Sequence, residues 1–502
     1  MHYFSYSLSP KYVIINSIEK ITMCGIAGLS LQDSTPDADI LRNMGEKLGH
    51  RGPDDAGVFI KDSTGLAHTR LSIIDLAGGH QPLFARDDTL VLVANGEIYN
   101  YIELRAQLET LGHQFKTHSD CEVILYAYVE YGLNFLDRLF GMFAFALYDL
   151  SQRRLILARD RLGIKPLFLA HHANGLAFAS EIKALLPSFD RAPDINPAGL
   201  MQFLQNQFSS GRITILKNVE RVLPGEALCI ESGKITRRWR YWTLQNIPPR
   251  HPGAGVAQEQ FDELMETVMR QHMRSDVPFG LFLSGGVDSS IVLALLSRYK
   301  SQPIRTFSVG FPDTQAGSEL PTAQMLAEYF GSQHTAYTPD RDAMFSRLPY
   351  SVWAADDLMR DNANLPTLML AEEAAKELKV IFSGEGGDEV FAGYGRYRMS
   401  RMERRVNDLL SPGTGGFRTR GTFRGSWPRQ LFADELLSSL DMAREPFTDA
   451  WRQTPASWSD LQRMQYTDIT TALPDNLLVK VDRMLMAWGI EGRVPFLDHR
   501  IV

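Results

Sequence analysis

The chain lacks the features that would place it in several broad classes. Its 502 residues include only 3 cysteines, Cys24, Cys121 and Cys229, too few and too scattered for a disulfide framework or a zinc site, and in keeping with a reducing compartment. No window approaches the roughly 18 uninterrupted apolar residues a membrane span needs, so no membrane partner is expected. Neither sign of charge dominates: 52 Lys and Arg stand against 59 Asp and Glu, a net charge of -7, which gives no electrostatic reason to bind nucleic acid. The arginine-rich stretch 395–429 is diluted by Glu403 and Asp408 and reads as a solvated helix followed by a loop. No Walker loop, dinucleotide fingerprint, internal repeat or long low-complexity tract occurs. The leader MHYFSYSLSPKYVIINSIEKIT has one lysine ahead of a short apolar run and no arginine, unlike a secretory signal or a transit peptide.

What remains is an ordinary globular composition, 44% hydrophobic and 22% charged, in a chain longer than one core usually supports, so at least two domains are expected. Up to about Trp242 the pattern is short β-like runs with turn residues: AGVFI (56–60), LVLVANGEI (90–98), MFAFALYDL (142–150), LILAR (155–159) and LFLA (167–170). Helical spacing interrupts them in 102–112, through Ile102, Leu104, Leu108 and Leu111, and again in 121–132. This predicts a layered α+β domain. IPPRHPGAGVA (247–257) is the best linker. Beyond it strands alternate with helices, which predicts a parallel, doubly wound sheet.

Ser284-Gly285-Gly286-Val287-Asp288-Ser289-Ser290 falls between a buried strand and an apolar helix. Such a turn suits phosphate: glycines let the backbone approach, the helix start offers free N–H groups, and the serines add donors. Asp288 makes sense beside phosphate if a divalent cation lies between them. VIFSGEGGDEVFAGY (380–394) repeats the strand-turn pattern and places Glu385, Asp388 and Glu389 at a strand's carboxyl end, where open α/β sheets bind ligands. Asp288 and Asp388 would share magnesium on a polyphosphate, and Glu385 would lie near the reacting carbonyl as a base. Lys480 or Arg483 would supply the basic complement, a surface ion being the alternative for each.

SGGVDSS, SGEGGDEVFAGY and LLVKVDRMLMAWGIEGRVPFLDHR together resemble the synthetase domain of glutamine-hydrolysing asparagine synthetases. MCGIAG, HRGPDDAG, RLSIIDL, ANGEIYNY and SDCEVI resemble that family's class II glutaminase domain, so the likeness runs over about residues 23–502 in motif order. It implies a four-layer αββα N-terminal-nucleophile domain (23–245), a linker (246–257) and a PP-loop ATP pyrophosphatase-like α/β domain (258–502). By motif, Cys24 is the nucleophile, Asn95 and the Gly96 amide form the oxyanion hole, and Arg70, Glu97 and Asp120 hold glutamine's α-carboxylate and α-amine. For Asp120 a helix N-cap role fits equally well, and His50 and Arg51 read as structural. The resemblance implies ATP contacts at Phe282, Ser284, Gly285, Gly286, Asp288, Ser289, Val309, Ser383, Gly384 and Arg483, with Mg²⁺ on Asp288 and Asp388. Aspartate would be adenylated, and ammonia delivered through an internal channel would attack, with Glu385 taking the proton. Glutamine, aspartate and ATP are then the small-molecule partners, a homodimer is compatible, and the location is cytoplasmic.

Two expectations concern the ends. In the family the cysteine of MCGI becomes the first residue and its free amine serves the thiol, so residues 1–22 are expected to be an extension absent from the mature enzyme. The family also continues beyond PFLDHR, so a C-terminal truncation is expected. An amidotransferase of the same architecture acting on another carboxylate, or a truncated remnant with little activity, are the alternatives.

Overall fold

The structure, a computed structural model, describes residues 7–9, 12–16, 24–52, 54–85, 87–300, 302–311, 319–419 and 421–502. In the first domain, strands rich in alternating apolar residues build two antiparallel sheets. The eight-stranded sheet runs Ser7–Ser9, Tyr12–Asn16, Asp55–Lys61, Thr64–Arg70, Gly25–Leu31, Gly175–Ala179, Phe168–His172 and Val219–Arg221 from edge to edge. The six-stranded sheet runs Lys234–Arg240, Glu226–Glu231, Arg154–Arg159, Gly141–Asp149, Leu90–Ile98 and Leu83–Phe84. Their facing side chains, among them Ile26, Phe59, Leu66, Val91, Val93, Ala146 and Phe178, form the central core.

Helix Ala38–Glu46 covers the outer face of the larger sheet through Leu41 and Met44. Helices Tyr101–Thr110 and Glu122–Tyr131 cover the smaller one through Leu104, Leu108, Val123, Ile124 and Leu125. The result is the expected αββα stack. Two strands come from the segment 1–22 that sequence reading sets apart: Tyr12–Asn16 pairs antiparallel with Asp55–Lys61 at the sheet's edge.

The second domain carries a five-stranded parallel sheet, ordered Gln333–Tyr337, Arg305–Val309, Phe279–Phe282, Val380–Phe382 and Glu491–Arg493. Helices Ala254–His272, Val287–Tyr299 and Leu320–Tyr329 pack on one face, Asn364–Ala374 and Leu478–Met486 on the other. Helices on both faces bury the two central strands Phe279–Phe282 and Val380–Phe382, which are the apolar runs of the sheet. The first helix begins at Ala254, inside the expected linker 246–257. Gly255 lies in its first turn, with no atom within 4 Å of where a Cβ would stand.

The domains meet through a buried seam. Leu71, Ile73 and Ile74 of the first domain join the core of the second, and Tyr99 stacks on His272 with ring centroids 3.8 Å apart.

Candidate functional site

Cys24 immediately precedes the central strand Gly25–Leu31. Its Sγ accepts the Leu71 N–H at 3.0 Å and lies 3.5 Å from the Leu71 carbonyl. Burial pushes the thiol up to about 12, against the pull of the Leu71 N–H, so the resting group is a protonated thiol. Arg51 is fully buried and fixes the approach to this residue: its Nε donates to the Cys24 carbonyl at 3.1 Å, and its terminal nitrogens reach Glu181 at 2.7 Å and Asp482 at 3.0 Å. This agrees with the structural reading of Arg51, and His50 beside it contacts Glu181 at 3.1 Å.

Around the thiol, several strands and one helix start present polar groups with unused capacity. Arg70, the last residue of Thr64–Arg70, donates Nη2 to the Ile74 and Asp75 carbonyls at 3.3 and 2.6 Å, while its buried Nη1 has no hydrogen-bond partner among the described residues. Asn95, in strand Leu90–Ile98, is buried with its Nδ2 equally unpartnered. A buried donor left unmade costs about 1–3 kcal/mol, so each of these donors marks a place where a ligand can complete the bonding, and the charge of Arg70 also acts on the Cys24 thiol. Gly96 has φ +145°, and a Cβ there would sit 2.0 Å from the Met142 carbonyl, so only glycine fits the strand at this point.

Glu97 and Asp120 are both buried carboxylates. Burial, then Glu491 and Asp120, drive Glu97 well above the usual carboxylate range, while Arg493 pulls it back. Asp120 is pushed up to about 6 by burial. Its Oδ2 accepts the Ile98 N–H at 2.7 Å, so it ties the helix start to the strand; the following helix Glu122–Tyr131 has no side-chain cap, which corrects the N-cap alternative.

Arg493 and Lys165 complete this neighbourhood, and motif reading missed both as functional partners. Arg493 belongs to the last strand of the second domain's sheet, is fully buried, and places Nη2 3.2 Å from Glu97 and Nε 3.0 Å from Glu491. The two domains thus share one set of buried charges.

The second site is a cavity of about 730 Å³ at the carboxyl ends of the parallel strands. It brings together Phe282, Ser284, Gly286, Asp288, Ser289, Val309, Ser383, Gly384, Glu385 and Asp388. Gly285 does not line it, but its φ of +78° turns the strand into the loop. Ser284 Oγ lies 3.1 Å from Ser289 Oγ and accepts the Gly286 N–H at 3.2 Å, which holds the loop open at the start of helix Val287–Tyr299. The two acidic turns are pressed together: a Cβ on Gly384 would lie 2.8 Å from the Ser289 nitrogen, and one on Gly387 would lie 2.4 Å from Asp288 Oδ2.

Burial and the charge of Asp388 both raise Asp288 above the usual carboxylate range. Two carboxylates that repel one another beside a phosphate-sized loop fit a hard divalent cation, which prefers oxygen ligands. Glu385 instead pairs with Lys480, Oε1 to Nζ 2.7 Å. Burial works against the charge on Lys480, yet Glu385 lifts it above its ordinary value.

The expected ATP contact at Arg483 is not where the side chain goes. Arg483 is absent from the cavity lining; it contacts Glu181 at 2.5 Å, the Ser180 carbonyl at 3.0 Å and Asp356 at 3.5 Å. Lys480, one turn earlier, is the cation that lines the cavity.

Comparison with known proteins agrees with this division. A family model described as glutamine amidotransferase domain matches residues 23–242, and one described as asparagine synthase matches residues 260–502. The chain is 35% identical over 512 residues to asparagine synthetase [glutamine-hydrolyzing] 1 of Bacillus subtilis (strain 168), covering 95% of this chain and 79% of that protein. It is 35% identical over 535 residues to a putative asparagine synthetase [glutamine-hydrolyzing] of Mycobacterium tuberculosis (strain ATCC 25618 / H37Rv), covering 95% and 81%. Among solved structures, glutamine phosphoribosylpyrophosphate amidotransferase from B. subtilis is 17% identical with a TM-score of 0.32, covering 64% of this chain and 70% of that one.

Proposed function

The chain belongs to the glutamine-hydrolysing asparagine synthetases, and on that premise we propose that its two sites act in series to make asparagine from aspartate, ATP and glutamine. The observation that carries this reading is the shared charge set at Arg493: its side chain contacts Glu97 of the thiol pocket, and its carbonyl accepts the Ser383 N–H of the nucleotide cavity at 2.9 Å.

In the first site, Arg70 Nη1 receives the α-carboxylate of glutamine, and Glu97 and Asp120 receive its α-ammonium group. The Cys24 sulfur attacks the amide carbon, the oxyanion is met by Asn95 Nδ2 and the Gly96 N–H, and ammonia leaves. Water then hydrolyses the thioester to glutamate. The thiol proton needs an acceptor, and the Leu71 backbone, the hydrogen-bond partner of Sγ among the described residues, cannot take it. The free α-amine of Cys24, exposed by cleavage after Met23, fills that role.

In the second site, the loop 284–289 cradles the phosphates and Phe282 and Val309 flank the nucleoside. The β-carboxylate of aspartate attacks the α-phosphorus and pyrophosphate leaves. Mg²⁺ held by Asp288 and Asp388 would supply the charge that stabilises this leaving group. Ammonia then displaces AMP at the acyl carbon, and Glu385, fixed by Lys480, takes the proton released from the attacking nitrogen.

The test uses protein beginning at Cys24 beside its Cys24→Ala variant, with asparagine, AMP, pyrophosphate and glutamate all quantified. The expected outcome is asparagine from glutamine or ammonia in the parent and from ammonia alone in the variant. AMP release that ignores aspartate would assign a different acceptor.

A further inference from the structure

One acidic group in the nucleotide cavity has no assigned task. Glu389 lies in the short helix Gly387–Val390, lines the cavity and is only 1% exposed, yet its buried Oε1 has no hydrogen-bond partner among the described residues. The cations near it are committed elsewhere. Lys480 pairs with Glu385 at 2.7 Å, and Arg396 pairs with Asp468 at 2.7 Å while lying 3.6 Å over the Tyr394 ring. The other charges that face it, Glu385 and Asp468, are acidic, and Asp388 faces the neighbouring Tyr394. The Tyr394 phenol is within hydrogen-bond reach but is neutral. A buried carboxylate is normally paired or neutralised, and here the protein supplies no free counter-charge.

We infer that Glu389, steadied by Tyr394, receives the α-ammonium group of the acceptor amino acid and thereby selects an amino acid over a plain dicarboxylate. This rests on the reading of the cavity given above. Glu389 and Glu385 line the same cavity and face each other closely enough for their charges to interact, and aspartate separates its ammonium-bearing carbon from the reacting carboxyl carbon by a single methylene. One substrate can therefore meet Glu389 with its cation while its β-carboxyl stays near Glu385.

The experiment measures KM for aspartate, KM for ATP and glutaminase rate in the parent, Glu389→Gln and Glu389→Asp, with succinate as a competing carboxylate. Loss of a charge-assisted contact should raise the KM for aspartate by about ten- to a hundred-fold in Glu389→Gln, with partial recovery in Glu389→Asp. The KM for ATP should move by less than about two-fold. In Glu389→Gln discrimination against succinate should shrink. Should Glu389→Gln fail to fold, Tyr394→Phe should still raise the KM for aspartate. An unchanged KM for aspartate, or an equal rise for aspartate and ATP, overturns the inference. A parent enzyme that releases no AMP in response to aspartate instead overturns the function itself.

Discussion

Glu97 and Asp120 face opposing demands. To hold an ammonium group they must be ionised, yet they are buried beside Glu491 and beside each other, and both are raised. Arg493 and Lys165 offset part of that repulsion for Glu97, and the Ile98 N–H does so for Asp120. Because the two carboxylates interact, their inflection belongs to the pair. A carboxylate raised to about 6 is charged above that pH and neutral below it. The KM for glutamine should therefore climb as pH falls through about 6, by up to tenfold per unit. Initial rates of glutamate formation between about pH 5 and 8 check this. Asp120→Asn should raise the KM throughout and flatten the lower limb; an unchanged acid limb would remove Asp120 from the ammonium site.

At the scale of elements, the strand Glu491–Arg493 does more than close a sheet. It extends the parallel sheet beside Val380–Phe382, and its last side chain crosses into the glutaminase pocket. Replacing Arg493 by methionine would leave Glu97 and Glu491 facing each other with only the more distant Lys165 as counter-charge among the described residues. Removing one partner of a buried pair typically costs about 3–5 kcal/mol, so denaturant unfolding of Arg493→Met should show a loss of that order. Adding Glu491→Gln should recover part of it, because the second uncompensated charge is then gone; purely additive losses would show that the two side chains act independently. The sequence reveals elements of this kind unevenly. Strand Leu90–Ile98 and the turns at 284–290 and 383–389 are legible because their signals are local: apolar runs, glycine pairs and acidic residues in fixed order. Helix Leu478–Met486 is opaque in one respect. Lys480, Asp482 and Arg483 are buried along with their apolar neighbours, so the rule that charges face solvent does not tell the cation toward the cavity from the one toward Glu181. That is why Arg483 reads as a nucleotide contact until its partners are seen.

At the scale of the molecule, the domain seam is a chain of ions contributed by both sides. Glu181 of the first domain lies between Arg51 and Arg483, Asp356 of the second accepts the Ile182 and Lys183 N–H groups at 2.5 and 2.9 Å, and Asp482 reaches back to Arg51. Asp356 thus caps a helix start in the other domain, where a carboxylate is favoured by the free N–H groups. These partners are far apart in sequence, Arg51 and Asp482 by 431 positions, so no motif could announce them. The seam gives the two readings of Arg483 different consequences. As a nucleotide contact, Arg483→Gln would raise the KM for ATP and spare stability. As a seam ion, it leaves Glu181 and Asp356 short of a buried partner, so unfolding stability should fall by about 3–5 kcal/mol, while the KM for ATP in the ammonia-dependent reaction should move by less than about two-fold. Glutamine-dependent synthesis should fall more than ammonia-dependent synthesis, because Glu181 also anchors Arg51 and, through it, the Cys24 carbonyl. A large rise in the KM for ATP at unchanged stability would return Arg483 to the nucleotide site.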